Sequence, residues 1–135
     1  MPENNNTLEV CAGLIWRGDQ ILIGQRAETK HQNRWEFPGG KIEANESPQE
    51  ALQRELEEEL AIQCEIGDHF LTTIHPLESK TLHLHTYQVL SFTGEAQALI
   101  HKKIRWIRVQ ELSQYDFLPA DLAIIEKLQA SNHVH

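Results

Sequence analysis

Four carboxylates, Glu55, Glu57, Glu58 and Glu59, crowd into five positions of this chain. Such crowding of like charge must be relieved by solvent, by basic side chains or by a metal ion. Glu55, Glu58 and Glu59 are related as i, i+3 and i+4, so on a helix they share one stripe while Glu57 points away. Each like-charged pair at that spacing costs a helix about 0.2–0.5 kcal/mol, and only Arg54 is close enough along the segment to offset it. Hard oxygen donors in a small cluster suit Mg²⁺ or Mn²⁺, which keep several waters and are usually completed by substrate phosphates. Structural zinc would draw on His or Cys instead. The spacing therefore points to phosphate chemistry on a divalent cation, with a solvated acidic face as the alternative.

The element that must carry these side chains is clearly marked. Ser47 is a good N-cap, Pro48 suits the first helical position, and Glu50 stands where a capping box places its acid. The helix is expected to run to about Leu60. At about 100° per residue, Leu52, Leu56 and Leu60 form the stripe that buries against a sheet. Before it, Ala27 to Glu36 reads as polar and irregular, and Phe37-Pro38-Gly39-Gly40 as a tight break in which glycine permits unusual backbone angles. Leu8 to Trp16 and Gln20 to Gln25, joined by Arg17-Gly18-Asp19, predict a hairpin. Cys64 to Ile74, Thr81 to Phe92 and Ile104 to Val109 have the β-branched and aromatic content of strands. A last helix is expected over about Pro119 to Ala130, where Leu122, Ile125 and Leu128 recur at helical spacing. The class is α/β or α+β.

The 135 residues suit a single domain, 1–135, with no repeat, linker or low-complexity tract beyond a short Asn run. A formal charge of −8 argues against duplex nucleic acid as a partner. The opening residues lack the basic and apolar regions of a signal peptide, and no apolar run is long enough to span a membrane, so a cytoplasmic protein with no membrane partner is expected. Cys11 and Cys64 lack ligand spacing and read as reduced, packed thiols. His83, His85, His133 and His135 likewise read as packing or surface residues. Oligomeric state has no signature in the sequence.

With the preceding loop included, Gly40-x5-Glu46-x7-Arg54-Glu55-Leu56-x-Glu58-Glu59-x-Ala61-Ile62 resembles the Nudix box, G-x5-E-x7-R-E-U-x-E-E-x-G-U, where U is a bulky aliphatic residue. Ala61 is the one departure. It stands where a left-handed residue is often needed, so strain of about 1 kcal/mol or a different cap is expected. Trp35-Glu36-Phe37-Pro38-Gly39-Gly40-Lys41 and Phe117-Leu118-Pro119-Ala120-Asp121 are similar to segments of MutT-like nucleoside triphosphate pyrophosphohydrolases. The resemblance thus spans nearly the whole chain.

That resemblance implies an α/β/α sandwich around a mixed β-sheet. It also implies Mg²⁺-dependent hydrolysis of nucleoside triphosphates to monophosphate and pyrophosphate, with Mn²⁺ able to substitute. Glu55, Glu58 and Glu59 would hold metal together with the carbonyl of Gly39, and Glu55 or Glu58 would take the proton of the attacking water. Arg54 would fix the rotamer of a box carboxylate, and Glu46 would tie down the loop before the helix, with Gly40 part of the structural motif. Trp35, Glu36, Phe37, Pro38 and Gly39 fall in the substrate-binding segment. Arg26 and His31 match positions that face triphosphate and nucleoside, with an ordinary loop histidine the alternative for His31. Phe37 would line the base pocket or belong to the core.

Asp121 would touch the base edge or cap the last helix. The loop acid that many relatives carry ahead of the strand containing Trp106 falls on Ile100, leaving Glu95 or His101 as substitutes, or the helix carboxylates to act alone. The expected activity is sanitation of 8-oxo-dGTP or another modified nucleotide. Alternatives are a CTP and modified-dCTP pyrophosphohydrolase, a hydrolase of nucleotide sugars or capped RNA ends, a silent nucleotide-sensing module, and a structural protein with an acidic patch.

Overall fold

A computed structural model describes residues 6–27 and 33–133, and it divides the first apolar run between two sheets. β1 (Thr7–Leu14) joins one sheet, while β2 (Trp16–Arg17) turns through Gly18, at φ +63°, into β3 (Gln20–Gln25) of the other. The expected hairpin is therefore confined to Trp16–Arg17 and Gln20–Ile21. The physical reason lies in pairing: Thr7–Leu14 takes eight consecutive parallel partners on β7 (Thr81–Thr93), a ladder that a local turn cannot offer.

The first sheet runs β5-β1-β7-β6, where β5 is Gly39–Lys41 and β6 is Gln63–Pro76. It is mixed, since β1 pairs parallel with β7 and antiparallel with β5. The second contains β2, β3 and β4 (Trp35–Glu36), with β8 (Lys103–Arg108) also paired to β3. The expected mixed sheet is thus present but shares its role with a second one.

Alternation along the strands sorts the interior into two cores, because successive side chains point to opposite faces. Cys11, Ile15 and Leu22 pack with Leu52, Leu56 and Leu60 of α1 (Pro48–Leu60). Ala12, Leu14, Ile21 and Ile23 pack instead with Ile124, Ile125 and Leu128 of α2 (Leu122–His133). Helices on both faces of the strands make this an α/β/α arrangement. Short 3-10 segments, Val109–Gln114 and Pro119–Asp121, lead into α2. Among the described residues, no helix is long and apolar enough to cross a membrane.

The caps of α1 follow the sequence closely. Glu50 N donates to Ser47 Oγ (3.1 Å), and Ser47 N donates to Glu50 Oε1 (2.9 Å). At the other end Ala61 adopts φ 62°, ψ 35°, and its N–H reaches Glu57 O. The left-handed cap therefore forms without glycine, at a backbone cost of about 1 kcal/mol.

Candidate active site

The start of α1 is locked to the loop before it by one guanidinium. Arg54 Nε and Nη2 meet the two carboxylate oxygens of Glu46 at 2.7 and 2.9 Å, and Nη2 also donates to Lys41 O at 3.0 Å. Glu46 in turn accepts from Glu43 N at 3.0 Å. The fork of hydrogen bonds from Arg54 holds the Glu46 carboxyl down at about 2, below the usual carboxylate range, with the Glu43 N–H adding to it. Arg54 Nη1 lies 3.1 Å from Glu55 Oε2 and 3.4 Å from Glu58 Oε1. Arg54 therefore orients Glu55, and its main partner is Glu46 rather than the Glu58 one turn on.

Glu55 and Glu59 face inward. Glu59 is only 5% exposed, and its Oε1 is buried without a hydrogen-bond partner. Burial raises its affinity for a proton strongly, and a hydrogen bond with Glu55 and the charge of Glu36 push the same way against a backbone hydrogen bond from Gly39. Glu55 lies against Gly40, where a Cβ would come within 2.5 Å of its Oε1. Glycine at position 40 is thus a space requirement of the carboxylate. The Glu58 side chain is 59% exposed and turned toward Arg54. Among the described residues, no three His, Cys, Asp or Glu side chains are gathered around one ion position. Two carboxylates in contact, one with an orphaned oxygen, must share a proton or a cation, so this donor set fits a hard divalent ion.

Glu59 opens onto a cavity of about 790 Å³. Its floor comes from the first sheet, with Leu8, Val10, Leu82 and Leu84. Arg26, Glu36, Phe37 and Gly39 line it from the second sheet and the Gly break, and Leu118 to Asp121 close it. Arg26 Nη1 meets Glu36 Oε1 at 2.8 Å, and Glu36 Oε2 meets His101 Nε2 at 2.8 Å. Asp121 Oδ2 accepts from Phe37 N at 3.2 Å, so its carboxylate braces the pocket wall rather than capping α2. Burial raises the Asp121 carboxyl to about 8, with the Glu36 charge pushing the same way, against the Phe37 N–H and Arg26. Near neutral pH it therefore holds a proton and can donate as well as accept.

One family model, the NUDIX domain, matches residues 7–128. The chain belongs to the Nudix family. It is 38% identical over 124 residues to the CTP pyrophosphohydrolase of Escherichia coli (strain K12), covering 91% of this chain and 92% of that one. To the 8-oxo-dGTP diphosphatase of the same strain it is 32% identical over 124 residues, covering 90% and 96%. The solution structure of the E. coli ORF135 protein superposes with a TM-score of 0.88 at 36% identity, covering 96% of this chain and 94% of that one.

This Nudix chain does not bring every expected residue to the cavity. Trp35 is buried against Tyr115, with ring centroids 5.1 Å apart, and Pro38 is buried with its carbonyl accepting from Gly13 N. Neither lines the cavity: the inward alternation of β4 spends Trp35 on the core. Phe37 serves both core and cavity, lying 5.2 Å from the Phe117 ring. His31 and His135 lie outside the described residues.

Of the two substitutes for the missing loop acid, Glu95 is exposed, whereas His101 lines the cavity and its side chain is 1% exposed. The His101 ring sits so close to β3 that a Cβ at Gly24 would meet it at 2.6 Å. Ile100 lines the cavity beside it and supplies no oxygen ligand. His83 and His85 share Glu9, each at 2.8 Å, on the face opposite the cavity floor. Cys11 and Cys64 are free thiols, and Cys11 Sγ donates to Gly40 O at 3.4 Å.

Proposed function

We propose that this Nudix hydrolase cleaves nucleoside triphosphates to monophosphate and pyrophosphate, using Mg²⁺ with Mn²⁺ as a substitute. The observation that carries the reading is one cavity lined at its Gly39 end by the buried Glu59, which is hydrogen-bonded to the half-buried Glu55, and on another wall by the buried Asp121. Glu55, Glu58 and Glu59, with the Gly39 carbonyl, are the metal-holding set. For Glu58 this requires turning from Arg54 toward Glu55. When bound, the ion neutralises phosphate charge and lowers the pKa of the attacking water.

The chain's own groups do the rest. Arg54 holds Glu55 in place, and Glu55 or Glu58 accepts the water's proton. As the water oxygen joins phosphorus, the bridging P–O bond breaks and separates the two products. Arg26 offers a guanidinium to the phosphates while Glu36 and His101 hold its position. Phe37 presents an aromatic face to the base, and Asp121 reads the base edge. His31 belongs to the substrate-facing set by resemblance.

Oxidised purine triphosphates of the 8-oxo-dGTP type are the first substrate class, since a protonated Asp121 can donate to a carbonyl. CTP and modified dCTP are the second, favoured by the 38% identity to an enzyme of that name. A sensing role is disfavoured because the whole carboxylate set is retained. The cellular setting that fits is cytoplasmic, without duplex nucleic acid or membrane as partner. A panel of natural and oxidised triphosphates with Mg²⁺, scored for monophosphate and pyrophosphate, tests the reading. Release of orthophosphate would place attack at the terminal phosphorus and refute it.

A further inference from the structure

β6 sends one imidazole onto a cavity floor built mainly from Leu8, Val10, Leu82 and Leu84, with Lys41 of β5 at its other edge. His75 pairs in register with Leu82 of β7, and Leu82 with Leu8 of β1, so these three side chains form a row across the sheet. All three line the cavity. The register shifts in β6 lie before Leu71, so the facing of His75 follows from unbroken pairing over Leu71–Pro76. The other described histidines whose side chains are placed have partners: His69 with Thr72, His83 and His85 with Glu9, and His101 with Glu36. Among the described residues His75 has none, and it is half-buried.

Position along the strands decides which part of a nucleotide meets this ring. Gly39, beside Glu59, pairs with Ala12, four residues from Leu8 on β1. At about 3.3 Å per residue that is about 13 Å, and two strand spacings of about 4.8 Å then lead sideways to His75. Phosphates held near Glu59 are thus out of its reach, and the opposite end of the substrate is not. An apolar slot with few convergent polar groups is the ordinary form of a base pocket. Apart from Arg26, Glu36, Glu59 and His101, already described, and Lys41 on β5, the described polar residues lining the cavity are Asp121 on the closing wall and His75 on the floor.

We infer that His75 is a specificity-determining residue that hydrogen-bonds the nucleobase through its imidazole. A neutral ring offers one donor and one acceptor, so it discriminates among base edges as Asp121 does from the other wall. The inference rests on the triphosphate-hydrolase reading and names the part of the substrate that the floor recognises.

The test compares wild type with His75→Ala, His75→Phe and His75→Gln on a panel of triphosphates and on ribose 5′-triphosphate, which has no base. For the preferred base, kcat/KM should fall about 10- to 100-fold in the Ala and Phe variants, mainly through KM, with partial recovery in Gln. The spread among bases should narrow, and ribose 5′-triphosphate turnover should stay within about 3-fold of wild type. His83→Ala, on the opposite face, should leave the base profile unchanged. Unaltered base ratios, or an equal loss on ribose 5′-triphosphate, would overturn the inference while leaving the hydrolase reading intact. Wild-type protein that turned over no triphosphate would instead refute that reading. The His75 ring resonance on nucleotide titration then decides alone: a shift supports base contact and an unmoved signal overturns it.

Discussion

Arg54 grips Glu46 through two parallel hydrogen bonds of 2.7 and 2.9 Å across eight residues of sequence, joining the loop after the Gly break to the first turns of α1. The same guanidinium reaches Glu55 at 3.1 Å, so loop position and carboxylate rotamer are set together. Arg54→Lys keeps the charge but loses the fork. Its turnover should drop about 10- to 100-fold, the usual effect of losing a partner that orients a metal ligand. Glu46→Gln should show a smaller loss in the same direction. Steady-state kinetics with circular dichroism to verify folding would check both, and an unchanged kcat in Arg54→Lys would refute the positioning role.

The raised carboxyl of Asp121 gives a pH dependence of definite sign. In the unfolded chain an Asp loses its proton near pH 4, whereas in the folded protein Asp121 keeps it to about pH 8. The folded state thus holds the extra proton, and its stability declines as pH rises from about 4 through 8. Buried Glu59 acts in the same direction. Asp121→Asn keeps an oxygen for Phe37 N–H and removes the titration. Its Tm should exceed wild type by about 3–10 °C at pH 8, and the gap should close toward pH 4. Thermal melts across that range measure it, and a gap that widened toward acid would contradict the assignment.

Ala61 carries a left-handed conformation that glycine adopts freely. Ala61→Gly should therefore stabilise the protein by about 1 kcal/mol, less the entropy glycine adds to the unfolded chain. Urea titration would detect the rightward shift in midpoint, with activity unchanged. A leftward shift would mean that the cap is not strained.

Gly40→Ala should act in the opposite manner, on chemistry more than on folding. The new methyl would meet the Glu55 carboxyl and force it from its place. Turnover should fall about 100-fold while the fold persists, as seen by an unchanged amide spectrum away from the Gly break. Wild-type turnover in a folded Gly40→Ala protein would show that Glu55 need not lie where it does.

What the sequence made legible follows from the range of the interactions involved. α1 was readable to its ends because Ser47, Pro48, Glu50 and the Leu52–Leu56–Leu60 stripe are local signals. The division of Thr7–Arg17 between two sheets was not, since the parallel ladder to β7 joins residues more than seventy positions apart. Short strands such as Trp35–Glu36 carry too few residues for any periodicity, so no local pattern marks Trp35 for the core. Glu55 and Glu59 were identifiable by spacing and motif. His101 was a candidate only through the absence of an acid at Ile100, and its pairing with Glu36 across 65 residues needed the fold. His75 had no signal at all, because its facing depends on where the shifts in β6 end.

The central claim, that the Glu55, Glu58 and Glu59 set supports divalent-metal hydrolysis of a nucleotide's phosphate chain, is tested most directly by product analysis of wild type and Glu59→Gln. CTP and 8-oxo-dGTP would be supplied with Mg²⁺ or with EDTA. Equal amounts of monophosphate and pyrophosphate are expected from wild type with Mg²⁺ and none with EDTA, and a folded Glu59→Gln should be slower by about 100-fold or more. Turnover that ignored EDTA, or that survived Glu59→Gln undiminished, would contradict it.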